Sequence, residues 1–209
     1  MVQIQWKIHH RINQSELLMG LAPEAGVELD VRDHLEHIVL QHDPFSSSQQ
    51  PTPEKLSEYL KKFHLKGPLI VNVKSEGIEE SCIKLLVQQQ IKNWFFLDLS
   101  MPSFVRFSEK AARGEISGFG PDNLAVRFSD REPIEYALSF QNKATWVWVD
   151  SFNNMPLTAE NYKILKKHFK ICLVSPELHG HSSEKITEFK SQLAGMKIDA
   201  VCTKRADLW

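Results

Sequence analysis

Short apolar runs recur along the chain, each long enough for a strand and too short for a helix. They read as strands at 4–10, 26–32, 38–43, 68–74, 93–100, 124–130, 145–152, 169–177 and 199–204. Between most of them the apolar spacing lengthens to that of a helix face. In 52–63, Leu56, Tyr59, Leu60 and Phe63 fall on one such face, behind Thr52, a helix-starting residue type. The segments 78–89, 103–112, 133–142, 158–168 and 182–193 follow the same rule and predict helices. Pro133 suits a first helical turn, where its missing N–H is not needed. The polar stretch 46–53 reads as a surface loop leading into a helix.

Only Asp33–His37 separates the strands at 26–32 and 38–43, so the two count as one bent unit or hairpin. Eight strand units with helices between them imply a parallel sheet. In a chain of 209 residues, that rhythm predicts a single-domain α/β fold, a compact (β/α)₈ barrel. A doubly wound open sheet is the alternative architecture.

Composition narrows the setting. Hydrophobic residues make up 42%, enough for a sizeable core, and the formal net charge is -1. A near-neutral chain has no bulk attraction to nucleic acid or to an anionic membrane, so any phosphate binding has to be local. Cys82, Cys172 and Cys202 lie far apart, without metal-ligand spacing, and read as buried thiols of a reducing compartment. The first residues carry no apolar signal region, and no apolar stretch approaches a membrane span. The expectation is a cytoplasmic protein without membrane insertion; oligomeric state is silent.

In a barrel of this kind the reactive groups sit at the C-terminal ends of the strands. The first strand ends in His9-His10-Arg11, and the second carries Glu28-Leu29-Asp30, two carboxylates on one face. The next apolar run ends in Gln41-His42-Asp43-Pro44. Asn72-Val73-Lys74 again puts two polar groups on one face. Later strands end in Asp98, Arg127, Asp150 and Ser175-Pro176-Glu177. Each alone has an ordinary reading: a solvated pair, a hydrogen-bonded structural histidine, a surface lysine. Together they describe more. Two carboxylates side by side repel unless a cation or strong donors compensate, and hard oxygen ligands select Mg²⁺ or Ca²⁺. Arg11 and Lys74 suit a phosphate, and two histidines on separate strands supply an acid and a base. Asp98, Arg127, Trp148 and Glu177 are candidate pocket residues around this set. Trp146 and Trp148 share a face and belong either to the core or to a pocket wall. His179 and His181 have zinc-like spacing, but no cysteine or third close ligand accompanies them. Lys74 also suits a Schiff base, which keeps a lyase or isomerase as a further alternative.

The motifs resemble those of the glycerophosphodiester phosphodiesterases. His10-Arg11 is similar to that family's His-Arg, Gly26-Val27-Glu28-Leu29-Asp30-Val31 to its Gly-x-Glu-x-Asp-Val strand, and Gln41-His42-Asp43-Pro44 to its His-Asp-Pro. Val71-Asn72-Val73-Lys74 stands where the family has Glu-x-Lys, and Asp199-Ala200-Val201-Cys202-Thr203-Lys204 resembles its last strand. The resemblance implies a metal-dependent phosphoric diester hydrolase. His10 and His42 would be acid and base, Glu28, Asp30 and Asn72 would hold a divalent cation, and Arg11 and Lys74 would bind the phosphate of a small-molecule diester. Three departures qualify it. Ile12 replaces the glycine after His-Arg, Asn72 replaces a third carboxylate, and the usual insertion after His-Asp-Pro is missing, which implies an open site. A non-catalytic barrel that binds a phosphorylated ligand or a protein partner is the alternative.

Overall fold

The computed structural model describes residues 2–46 and 53–209. Most of the polar loop at 46–53, Thr52 included, lies outside the described residues. Strands form at β1 (Gln3–His9), β2 (Gly26–His34), β3 (His37–Leu40), β4 (Leu69–Val73), β5 (Trp94–Leu97), β6 (Ala125–Ser129), β7 (Trp146–Asp150), β8 (Lys170–Val174) and β9 (Lys197–Thr203). Helices form at α1 (Leu56–Lys62), α2 (Glu79–Gln88), α3 (Met101–Arg113), α4 (Ile134–Leu138), α5 (Ala159–Leu165) and α6 (Lys185–Gln192). Pro133 sits at the N-cap of α4, and the Thr158 hydroxyl caps α5 by accepting the Asn161 N–H.

The sheet runs β5-β4-β2-β1-β9-β8-β7-β6, parallel throughout. An open sheet would leave β5 and β6 as free edges. Here Phe96 and Leu124 form a parallel bridge across that gap, and Asn123 Nδ2 donates to the Trp94 carbonyl at 3.0 Å. The result is a nearly closed (β/α)₈ barrel of eight strands. β3 stands outside it, paired antiparallel to β2, so 26–32 and 38–43 do form one unit. Leu35 and Glu36, both at positive φ (46° and 66°), make the two-residue hairpin turn.

Alternation along the strands builds two cores. Ile8, Ile70, Phe95, Trp146, Cys172, Ala200 and Cys202 fill the cylinder, with the Phe95 and Trp146 rings stacked at 4.7 Å. The intervening Leu29, Val71, Val147, Ile171 and Val201 face the helices. Each such side chain contributes roughly 1.5–3 kcal/mol by leaving water. All three cysteines are buried and free, and burial pushes their thiols up. Gly26 is required where β1 and β2 meet, because a Cβ there would lie 2.7 Å from the Pro68 carbonyl oxygen. Between β1 and β2 the chain makes only a six-residue 3₁₀ helix, Ser15–Gly20, instead of an α-helix. β1 is matched to that thin cover, since Gln3, Gln5 and Lys7 are exposed while Ile8 is buried. Among the described residues no helix is long and apolar enough to cross a membrane.

Candidate functional site

The inward-facing positions turn polar at the C-terminal end of the barrel. There a cavity of about 200 Å³ is lined by His10, Arg11, Glu28, His42, Asn72 and Lys74, and further round by Asp98, Arg127, Trp148, Asp150 and His179. Asp30 lies just beneath, fully buried. The pairing of β2 with β4 sets Asp30 beside Asn72.

Glu28 is held from two sides. Its Oε2 accepts the Arg11 backbone N–H at 2.8 Å, and its Oε1 accepts Asn72 Nδ2 at 2.9 Å. Arg11 reaches it by adopting a left-handed backbone, φ 57°, a strain of the kind that clusters at functional sites. Burial, and then the neighbouring Asp30 charge, push the Glu28 carboxyl up to about 7. Asp30 is clasped by Asn13, which donates Nδ2 to Oδ2 at 2.9 Å and accepts the Asp30 N–H at 2.8 Å. His10 Nε2 lies 3.7 Å from Glu28 Oε2. Burial, with Arg11, Lys204, His42 and Lys74 nearby, lowers the His10 pKa to about 3.

A belt of alternating charge runs around the mouth. His42 meets Arg11, and Arg11 Nε lies 4.0 Å from Asp30 Oδ2. Lys74 Nζ stands between Asp30, at 3.7 Å, and Asp98, at 3.4 Å. Arg127 pairs with Asp98 and with Asp150, each at 2.8 Å, and with Glu132 at 3.3 Å. Asp150 completes the belt with His179 Nε2 at 2.9 Å. Arg32 locks two stretches of it in place. Its guanidinium donates to the His42 carbonyl at 2.9 Å and to the Lys74 carbonyl at 3.0 Å.

No family model matches the sequence, and no curated protein matches it. The likeness found is to a solved structure, and it is one of fold. The fold is similar to the crystal structure of the glycerophosphodiester phosphodiesterase from Agrobacterium tumefaciens str. C58, with TM-score 0.62 over 100% of this chain and 99% of that one. Identity to the Agrobacterium protein is 13%, so the likeness is one of fold.

The chemistry of the donors tests the expected cation. Asp30 Oδ1 and Asn72 Oδ1 are buried with no hydrogen-bond partner, beside a carboxylate whose ionisation burial opposes. Two orphaned oxygens next to Glu28 fit a hard divalent ion. Among the described residues no three His, Cys, Asp or Glu side chains are placed to share one ion. The oxygen donors gathered at this point are two carboxylates, Glu28 and Asp30, and the Asn72 amide.

Most of the residues expected from the sequence come together: His10, Arg11, Glu28, His42, Asn72, Lys74, Asp98, Arg127 and Trp148 share the cavity, with Asp30 directly below. Glu177 does not line it. Its carboxylate accepts the Thr203 hydroxyl at 2.5 Å, the Lys204 N–H at 3.0 Å and the Ser175 hydroxyl, fastening the end of β9. Trp146 belongs to the interior core and Trp148 to the cavity wall. His179 and His181 do not share a ligand: His179 meets Asp150, and His181 meets the Phe152 carbonyl at 2.9 Å. Sequence reasoning missed Asn13, Arg32 and the Asp150–His179 pair. Asp150 ends a strand, as Asp98 does, and that position was its one legible signal.

Proposed function

We propose that this protein is a metal-assisted phosphodiesterase acting on a glycerophosphodiester-type small molecule. What supports the reading is one observation. His10, Arg11, Glu28, His42, Asn72 and Lys74, far apart in the chain, line a single cavity at the barrel end where such folds carry their chemistry. Arg11 and Lys74 bind the phosphate's non-bridging oxygens and fix its orientation. The two imidazoles flank it: one takes the proton of the attacking hydroxyl or water, and the other gives a proton to the leaving oxygen. Glu28, Asp30 and Asn72 are the residues that would hold Mg²⁺ or Ca²⁺, which when bound supplies Lewis-acid polarisation of a phosphoryl oxygen.

The test is hydrolysis of a panel of diesters, from glycerophosphocholine to bis(p-nitrophenyl) phosphate, with divalent ions and with chelator. Turnover that requires the ion is expected. A panel without turnover under either condition removes the reading. A second reading draws on Asn72, which turns its N–H toward Glu28 and adds no charge to the ligand set. On it, the barrel binds a phosphorylated ligand or a protein partner without cleaving anything. Calorimetry separates the two, because the second reading expects no heat from Mg²⁺ or Ca²⁺ at millimolar concentration.

A further inference from the structure

The rim loop after β7, residues 151–154, is tied down through both polarities of its backbone. A single carboxylate, that of Asp130 just past β6, takes its N–H groups. Oδ1 accepts from Phe152 at 2.9 Å, and Oδ2 accepts from Asn153 at 3.0 Å and Asn154 at 3.2 Å. Successive N–H groups turned onto one anion form a concave nest. Burial works against the charge on Asp130, but the three N–H bonds outweigh it and hold the carboxyl below its usual range. From the other side His181 Nε2 donates to the Phe152 carbonyl at 2.9 Å, and Lys185 Nζ to that of Asn153 at 3.4 Å.

A loop at the surface has water for these groups, so the clasp is not needed to satisfy them. What it holds is Phe152. That ring is 36% exposed, lines the mouth cavity beside Trp148, and lies 4.6 Å from the His179 ring. His179 is itself fixed by Asp150. On this side of the cavity Trp148 is joined by two rings that are each held by a carboxylate, Phe152 through its backbone and His179 through its ring. The phosphate-binding cations Arg11 and Lys74 lie just past the ends of β1 and β4, so this wall is left to face the alcohol portion of a diester.

We propose that Asp130 is a positioning residue for substrate selection. Through its grip on loop 151–154 it keeps Phe152 as a preformed apolar wall, favouring diesters whose alcohol has an aromatic or extended apolar face. The inference rests on the phosphodiesterase reading. A wall ordered before binding spares the substrate the entropy of ordering it, so its loss weakens binding and leaves the chemical step alone.

The experiment is a double-mutant cycle on KM, with the metal-loaded protein and bis(p-nitrophenyl) phosphate as the aryl diester. Asp130→Ala and Phe152→Ala are each expected to raise KM about five- to tenfold with kcat within about twofold of wild type. The double variant should be no worse than Phe152→Ala alone, because the first residue acts only through the second. For glycerophosphoethanolamine, which has no apolar face, the singles should change KM by less than about twofold. If Asp130→Ala fails to fold by circular dichroism, Asp130→Asn carries the same cycle. Additive effects in the double variant, a fall in kcat at constant KM, or an Asp130 variant indistinguishable from wild type would each overturn the inference while leaving the phosphodiesterase reading intact. A wild type that cleaves no diester would overturn both.

Discussion

The guanidinium of Arg11 donates to Nε2 of His42 at 2.5 Å. Arginine has no acceptor, so Nε2 must carry the lone pair and the ring proton must be on Nδ1, which meets Asp43 Oδ1 at 2.8 Å. The pair thus sets the tautomer of His42 in this arrangement, with Nε2 turned to the Arg11 guanidinium. His42→Ala should lower kcat/KM for a diester by about 10²–10⁴-fold. The side chain is 34% exposed, so the variant should fold normally. Steady-state kinetics beside a circular dichroism spectrum checks both halves of that expectation.

Asn72→Asp replaces the amide donor to Glu28 with a third carboxylate. Without metal it should destabilise the barrel, since a 2.9 Å hydrogen bond becomes a repulsion between buried oxygens. With metal it should tighten Mg²⁺ or Ca²⁺ binding at least about tenfold, because ligand charge sets affinity at hard-cation sites. Thermal melting with and without the ion, and calorimetric titration, measure the two effects. Unchanged affinity would separate Asn72 from the ligand set.

Glu28 makes stability depend on pH in a definite direction. Its carboxyl is pushed up to about 7 in the folded chain from an ordinary 4.5. Below the lower value it is protonated in both folded and unfolded states and adds no pH dependence. Between the two values the unfolded chain ionises and the folded one resists, so stability falls as pH rises, and the loss levels off above about 7. The whole fall is on the order of 3 kcal/mol. Urea midpoints at pH 5 and pH 8 in chelator should show it. Glu28→Gln should flatten the difference, as should a saturating divalent ion.

Arg127 neutralises carboxylates at the C-terminal ends of its two neighbouring strands. Arg127→Met should cost about 1–3 kcal/mol, because it leaves the charge of Asp150, only 3% exposed, with its His179 contact but no guanidinium. Adding Asp150→Asn removes that charge and should restore part of the loss, giving a non-additive cycle by denaturant unfolding.

Much of the barrel was legible because strand parity is a local property. The alternation that buries Val27, Leu29 and Val31 toward the helices also sends Glu28 and Asp30 inward, and reading every second residue is enough to see it. Ile70 and Asn72 follow the same rule on β4. The first connection was less legible. Leu17, Leu18 and Met19 carry apolar character, yet the segment makes only a two-turn 3₁₀ helix, and only Leu18 of the three is buried. The polar outer face of β1 was the sign that little would cover it.

The far side of the site was hidden for a different reason. His179 reaches the cavity from a short 3₁₀ turn, Pro176–His179, whose backbone course no periodicity encodes. Glu177 stands two residues before it in that turn and is fastened instead to Thr203, so strand-end position alone could not tell the two apart. Asp130 gives no warning either, since Ser129-Asp130-Arg131-Glu132 reads as an ordinary charged turn. Its role exists only because three N–H groups more than twenty positions later fold back onto it.

The bridge between Phe96 and Leu124 has one more consequence. Six residue pairs zip β1 to β9, whereas β5 and β6 are joined by that one backbone bridge, by Asn123 at one end and by the Asp98–Arg127 ion pair at the other. The staves of the cylinder are unequally hooped, and the loosest joint lies opposite the tightest. β2, which bears Glu28 and Asp30, is joined to β4, which bears Asn72, through five residue pairs, so the carboxylate pair is carried away from the loosest joint while Asp98 and Arg127 stand beside it.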